Sequence, residues 1–384
     1  MINALVIFGT RPEAIKLAPV VAELRTRSLE IQTHVCVTAQ HRHMLDQVLG
    51  WFGIVPDFDL DLMEANQSLG HLAGRVLSRV SDVFDQVHTD VVIVQGDTTT
   101  TMAAALAAGY RGVPVAHVEA GLRTYDMRNP FPEELNRRVT SVAASYHFAP
   151  TERAARALLE ERTPPANIYI TGNTVIDALA MTLSRPVAVD LACNGNGRVV
   201  LVTAHRRESF GGPFESICSA LRRLAERNPD VQIVYPVHLN PNVREPVNRI
   251  LAGHPRIHLL EPLRYEQFVH LMARSYIILT DSGGIQEEAP FLGKPTLVMR
   301  ETTERPEAIE AGTARLVGTA EASIVEWCQR LLEDDSEYER MAKAGSPFGD
   351  GKASHRIIDV LLGKGNSIES FRPQEMVWPT FATC

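Results

Sequence analysis

Five side chains stand out in this sequence for where they lie: Asp97, Glu119, Glu133, Glu134 and His205. Asp97 follows the apolar run Val91 to Val94 and precedes four threonines, Thr98 to Thr101. Glu119 follows Val113 to Val118 and sits between His117 and Arg123. Glu133, with Glu134 beside it, comes after Pro130-Phe131-Pro132 and opens a helical pattern. His205 closes the run that begins at Val199 and is followed by Arg206 and Arg207. Grouped carboxylates do proton transfer, and a histidine among cations donates to a phosphate or protonates a leaving group. The threonines are expected to hold Asp97 by hydrogen bonds; the competing assignment is a helix N-cap. For Glu119 the competing assignment is a surface ion pair, which is worth little.

The segment Asp281-Ser282-Gly283-Gly284-Ile285-Gln286-Glu287-Glu288 suggests a second chemistry. Ser282, Gly283 and Gly284 fall at a helix N-terminus, where free backbone N–H groups and the helix dipole attract phosphate. Glu288 follows on the same helix, placed to accept the hydroxyls of a ribose. The competing assignment is a serine cap with a capping-type glutamate. Arg11 in Gly9-Thr10-Arg11-Pro12-Glu13 and Arg305 in Thr303-Glu304-Arg305-Pro306-Glu307 are the cations expected to face the anion.

These residues need elements to position them, and the pattern supplies one grammar throughout. Ala4 to Phe8, Thr33 to Thr38, Val91 to Gln95, Val113 to Val118 and Ile168 to Thr171 read as buried strands, each followed by a turn and a helix. A stretch from Arg185 to Gly197 interrupts the rhythm and reads as a linker. The grammar then restarts with Val199 to Thr203, Val231 to Val237, Ile257 to Leu260, Ile277 to Thr280 and Pro295 to Met299. The last helices are expected near Ala320 to Asp334, Ser336 to Lys343 and Ala353 to Leu362. Apolar strands alternating with helices make a parallel sheet covered on both faces. The chemical clusters all begin at carboxyl ends of strands, where open α/β sheets bind ligands.

Composition narrows the field. The chain has 384 residues, enough for two domains, with 45% hydrophobic and 22% charged residues, so it is neither disordered nor fibrous. The 38 Lys and Arg against 46 Asp and Glu leave a net charge of −8, which argues against a nucleic-acid or acidic-membrane binder. No apolar run reaches the length of about 18 residues that spans a bilayer, and the first one lacks a basic leader, so a cytoplasmic protein is expected. Five scattered cysteines without a C-x-x-C argue against disulfides or zinc. Gly195-Asn196-Gly197 precedes a strand, His254 and His258 flank Pro255, and Gly293-Lys294-Pro295 lacks the upstream glycine of a P-loop, so none is given a function.

Taken in order, Gly9 to Lys16, Thr38-Ala39-Gln40-His41-Arg42, Gly96-Asp97-Thr98-Thr99-Thr100, His117 to Thr124, Ala204 to Glu208, Asp281 to Glu288 and Thr303 to Glu307 resemble the bacterial non-hydrolysing UDP-N-acetylglucosamine 2-epimerases. The resemblance runs from about residue 3 to about 362. It implies a GT-B-type α/β fold, two Rossmann-like doubly wound domains facing a deep cleft. Residues 1–175, joined by a C-terminal helix at about 353–384, would form the sugar side, and residues 176–352 the UDP side. The implied reaction is reversible conversion of UDP-N-acetylglucosamine to UDP-N-acetylmannosamine. UDP is eliminated in the anti sense to leave 2-acetamidoglucal and is then re-added with C2 inverted, without cofactor or metal. The product would supply cell-surface polysaccharides.

By the same resemblance, Lys16, Asp97, Glu119, Glu133 and His205 are catalytic. Arg11, His205, Ser282, Gly283, Gly284, Glu288 and Arg305 hold UDP, with Phe268 near the uracil. A homodimer is implied, as is a second, activating UDP-N-acetylglucosamine site at Gln40, His43, Arg207 and His238. His43 and Asn66 stand where some members carry Gln and Arg, and Gln95 stands where some carry His. The alternatives are a 2-epimerase of another UDP-2-acetamido sugar, a GT-B glycosyltransferase, and a nucleotide-sugar-binding protein without catalysis.

Overall fold

The structure is a computed structural model that describes residues 1–39, 42–62, 64, 67–188, 197–365 and 369–373, without the side chains of 42 and 43. The expectations for Gln40, Asn66 and the His43 side chain therefore fall outside the described residues, as do Cys193 and Cys384. The chain divides into two compact units. Of the described residues, unit 1 holds those within 1–181 and 348–371, and unit 2 those within 182–347 together with 372 and 373.

In unit 1 the elements are β1 (Ile2–Phe8), α1 (Arg11–Thr26), β2 (Ile31–Val37), α2 (Arg42–Phe52), β3 (Phe58–Asp59), α3 (Leu69–Phe84) and β4 (Val91–Gln95). There follow α4 (Thr99–Tyr110), β5 (Val115–Val118), α5 (Glu133–Ala143), β6 (Tyr146–Ala149), α6 (Glu152–Glu160), β7 (Ile168–Ile170) and α7 (Thr174–Leu183). Among the described residues the strands form one seven-stranded sheet in the order β3-β2-β1-β4-β5-β6-β7, parallel throughout. Helices return the chain across both faces, so the central strands have no wet side: Ala4 to Phe8 and all of β4 are buried. The sheet grows outward from β1 to β3 and then restarts at β4 beside β1. The turns after β1 and β4 thus lie at the topological switch point.

Unit 2 repeats this plan with β8 (Arg198–Thr203), α8 (Gly212–Arg227), β9 (Val231–Pro236), α9 (Pro241–Leu251), β10 (Ile257–Leu260), α10 (Tyr265–Arg274) and β11 (Ile277–Thr280). It continues through α11 (Gly283–Phe291), β12 (Thr296–Val298), α12 (Pro306–Glu310), β13 (Ala314–Leu316), α13 (Glu321–Glu333) and α14 (Asp335–Ala342). The parallel order β10-β9-β8-β11-β12-β13 puts the switch point between β8 and β11. Its core gathers Phe214, Leu221, Tyr235, Leu279 and Met299 between the sheet and its helices. Cys36, Cys218 and Cys328 are buried, free thiols; burial pushes Cys36 and Cys218 up to about 12, so they pack as apolar groups.

The chain then returns to unit 1 as α15 (Ala353–Leu361), which packs on α1. Asp177 of α7 caps its start, accepting the N–H of Ser354 at 2.7 Å and of Ala353 at 3.2 Å, and the Ser354 hydroxyl at 2.7 Å. Burial nevertheless raises the Asp177 carboxyl to about 6. Among the described residues no helix is long and apolar enough to cross a membrane.

Three strands escaped the sequence reading: β3, β6 and β13, of two, four and three residues. Each is too short for an aliphatic run, and β6 reads Tyr-His-Phe-Ala, so neighbouring strands decide its state rather than its own pattern. One turn also depends on a particular residue. Gly121 has φ of +90°, and a Cβ there would stand 2.2 Å from the Ala154 carbonyl oxygen. Gly121→Ala is expected to destabilise unit 1 by about 2–5 kcal/mol through strain and overpacking. A urea unfolding midpoint equal to that of the wild type would show that the β5–α5 loop moves aside.

Candidate active site

In unit 1 the chemical clusters converge on Glu119. This residue directly follows β5, is 8% exposed, and takes a positive φ of 63°, a strained conformation for a side-chain-bearing residue. Its Oε1 meets Lys16 Nζ at 2.5 Å and accepts from Asn173 Nδ2 at 3.0 Å, while Oε2 accepts from Gln95 Nε2. The surface ion pair weighed as an alternative is therefore a buried one. Lys16 reaches it from α1, Gln95 from the last position of β4, and Asn173 from the turn after β7.

Asp97 follows the Gly96 turn and is paired with Arg137 of α5 at 2.6 Å. Asn136 adds a hydrogen bond to the Asp97 carbonyl at 3.0 Å. The threonines do not hold the Asp97 side chain as the sequence suggested. Thr98 is the N-cap of α4, accepting the Thr101 N–H, and the hydroxyls of Thr98 and Thr101 donate to Glu13 at 2.8 and 3.0 Å. Glu13, 1% exposed, also accepts the N–H groups of Gly9 and Thr10, so one buried carboxylate ties the turn after β1 to the turn after β4. Gly9 is needed at that junction because a Cβ would fall 2.1 Å from the Thr38 hydroxyl.

Asp97 keeps 28% of its side-chain surface, so it is open to a ligand. Its carboxyl nonetheless binds a proton more tightly than an ordinary aspartate. Burial is the main cause, Arg137 and Lys16 oppose it, and the negative charges of Glu119 and Glu133 add to it. Glu133 and Glu134 form the acidic first turn of α5, yet they differ. Glu134 is fully buried and accepts the N–H groups of Thr124 and Tyr125, which makes it a brace for that loop. Glu133 Oε2 is buried and takes no hydrogen bond. His117 is a brace too: its ring bonds the Gly96 carbonyl at 2.8 Å, and burial pushes it down to about 3, so it stays neutral.

In unit 2 a second set converges at the ends of β8, β11 and β12. Ser282 is the N-cap of α11 but makes no capping bond with its hydroxyl, so the first turn, with Gly283 and Gly284, keeps free N–H groups. The serine-cap assignment is therefore only half met. Asp281 accepts the backbone N–H groups of His205 and Arg206 at 2.6 and 2.7 Å. Arg300 meets Glu208 at 2.6 Å, and the Thr303 hydroxyl bonds Gln286 at 2.6 Å. Arg305 is paired with the buried Glu287, so its charge is already partly balanced. Glu288 is 8% exposed and receives the Tyr265 hydroxyl at 3.4 Å. Phe268 lies half-buried on α10, Arg207 and His238 are exposed, and Arg11 occupies the first position of α1.

The sequence reading missed Arg137, Asn173, Gln95 and Asp281 as partners of the expected groups. Arg137 had a local signal, lying four residues after Glu133 on one helix face. The other three contacts join segments remote in sequence.

Comparison with known proteins rests on these elements. A family model described as UDP-N-acetylglucosamine 2-epimerase matches residues 22–362. A Ralstonia solanacearum protein named probable UDP-N-acetylglucosamine 2-epimerase is 56% identical over 94% of this chain and 99% of its own. The crystal structure of the UDP-GlcNAc 2-epimerase from Neisseria meningitidis bound to UDP-GlcNAc superposes with a TM-score of 0.86 at 48% identity, covering 94% of this chain and 100% of that one. Acinetobacter baumannii MurG, at 13% identity and a TM-score of 0.59 over 94% of this chain and 99% of its own, shares the fold alone. The fold is α/β of the GT-B type, built from two parallel-sheet domains. From its sequence, its sheet order and these matches, the chain belongs to the UDP-N-acetylglucosamine 2-epimerase family of enzymes.

Proposed function

We propose that this protein interconverts UDP-N-acetylglucosamine and UDP-N-acetylmannosamine by elimination and re-addition of UDP. The observation that carries the reading is the carboxylate group of unit 1, with Asp97 raised in proton affinity beside Glu119, Glu133 and Lys16. The C2 proton of the sugar is weakly acidic, and a base with raised affinity removes it better. Asp97, Glu119 and Glu133 form the acid/base set. One takes the C2 proton as the C1–O bond breaks, the electron pair leaving with UDP, and 2-acetamidoglucal remains. UDP then returns to C1 as a proton is delivered to the opposite face of C2. Arg11, His205, Ser282, Gly283, Gly284, Glu288 and Arg305 hold UDP, with Phe268 at the uracil, so that charge developing on the diphosphate is stabilised as it departs. Glycosyl transfer to an acceptor needs no base at C2, and the three-carboxylate grouping favours epimerisation over it.

The proposal extends to a homodimer, and to activation by a second UDP-N-acetylglucosamine at Arg207 and His238. The decisive experiment is incubation with UDP-N-acetylglucosamine in deuterated water, followed by NMR. UDP-N-acetylmannosamine carrying deuterium at C2 is expected. If neither that product nor deuterium appears while another UDP-2-acetamido sugar is converted, the substrate is a different one.

A further inference from the structure

His205 and Asp281 lie 76 residues apart and meet where β8 and β11 end side by side. Asp281 has no exposed surface. Its Oδ2 is spent on the backbone N–H groups of His205 and Arg206. Its Oδ1 is buried without any other hydrogen bond and lies 3.3 Å from His205 Nδ1. The loop is held from beneath by the buried Tyr235, whose hydroxyl donates to the Ala204 carbonyl at 2.6 Å. The His205 ring is 39% exposed, so one edge faces Asp281 and the other is accessible.

The remaining neighbours limit what this ring can do. His238, after β9, stacks on it with ring centres 5.4 Å apart and planes 13° from parallel. His238 Nδ1 accepts the Asn240 N–H at 3.1 Å, which spends that lone pair. Arg206 and Glu304 extend over Gly283. Burial, His238 and Arg206 all oppose a proton on His205, and Asp281 is the group that favours one. A lone buried carboxylate one residue before the cap of α11 would repel a phosphate at that helix start. Paired with a proton on His205, it does not.

We infer that Asp281 is a positioning residue for His205, holding Nδ1–H so that Nε2 is the working nitrogen and the ring can carry a proton to a phosphate. The inference rests on the proposed function for its substrate. The neutral ring carries hydrogen on Nδ1; a proton gained at Nε2 makes the imidazolium. When the C1–O bond breaks and its electron pair goes to the diphosphate oxygen, the Nε2 proton is donated to that oxygen. The ring returns to the neutral Nδ1–H form, and the proton transferred is the one that was on Nε2.

The test uses the full-length protein labelled with 15N-histidine, with the His205 signals assigned by His205→Gln. Long-range 1H–15N spectra of the neutral ring are expected to show hydrogen on Nδ1, against the Nε2–H form that histidine favours in water. An Nε2–H ring in the wild type overturns the inference, whatever any variant does. In Asp281→Asn the amide oxygen still accepts both backbone N–H groups while the amide N–H faces Nδ1, so the ring is expected to invert to Nε2–H. Turnover of UDP-N-acetylglucosamine should fall by about 100- to 10,000-fold with UDP binding little changed. In the His205→Gln background Asp281→Asn should lower turnover no further; an equal additional loss there overturns the inference. If the wild type converts no UDP-N-acetylglucosamine, the proposed function fails, and the wild-type tautomer still decides the Asp281 assignment.

Discussion

Asp97→Asn is expected to lower kcat for UDP-N-acetylglucosamine epimerisation by about 1,000-fold while leaving UDP affinity nearly unchanged. The amide keeps the shape of the carboxylate, and its oxygen still accepts from Arg137, which stands 2.6 Å away in the wild type. It cannot accept a proton, and that is the function under test. UDP binding is assigned to other side chains, so isothermal titration with UDP separates a lost base from a damaged protein. The pH dependence gives a second reading. Protonation removes the base, so wild-type kcat/KM falls as pH falls through the Asp97 value. Burial and the neighbouring Glu119 and Glu133 place that value above the ordinary 3.8, and the acid limb should lie correspondingly high. Near-normal turnover in Asp97→Asn, or an acid limb at the ordinary aspartate value, removes Asp97 from the mechanism.

The largest stability effect is expected from Lys16→Met. Lys16 and Glu119 are 15% and 5% exposed in their side chains, and their contact spans 103 residues of sequence. Removing the cation takes from a buried carboxylate the positive charge that stands 2.5 Å from it, at a cost of about 3–5 kcal/mol. Glu119→Gln should cost less, because it removes the buried negative charge and leaves Lys16 near enough to the surface to find water. Urea unfolding of both variants and the wild type tests this order. Salt should not restore Lys16→Met, since a buried pair is little screened. If Lys16→Met unfolds at the wild-type midpoint, the pair contributes nothing to unit 1. A midpoint lower for Glu119→Gln than for Lys16→Met would mean that the hydrogen bonds from Gln95 and Asn173 outweigh the charge.

Much of the fold was legible because burial on both faces of a parallel sheet leaves continuous apolar runs. Val91 to Gln95, Ile257 to Leu260 and Ile277 to Thr280 were located to the residue in this way. β6 was not, because four residues with a tyrosine and a histidine carry no such run, and pairing with β5 and β7 makes them a strand. The site was legible in kind, since charged and hydroxyl residues at strand ends have few uses in a core-building pattern. Its wiring was not. Thr98 to Thr101 lie beside Asp97 in sequence, but two of them bond Glu13, because α4 points those hydroxyls toward the turn after β1.

The sequence by itself determined the family, the alternation of strand and helix, and the set of side chains available for chemistry, because each of these is written in local pattern and motif order. Only the tertiary structure decided which of those side chains meet. It paired Glu119 with Lys16 in a buried contact, separated Glu133 from its structural neighbour Glu134, gave Asp97 to Arg137, and set Asp281 behind His205. The reason is physical: a charge is governed by burial and by partners within a few ångströms, and here those partners come from strands and helices far apart along the chain.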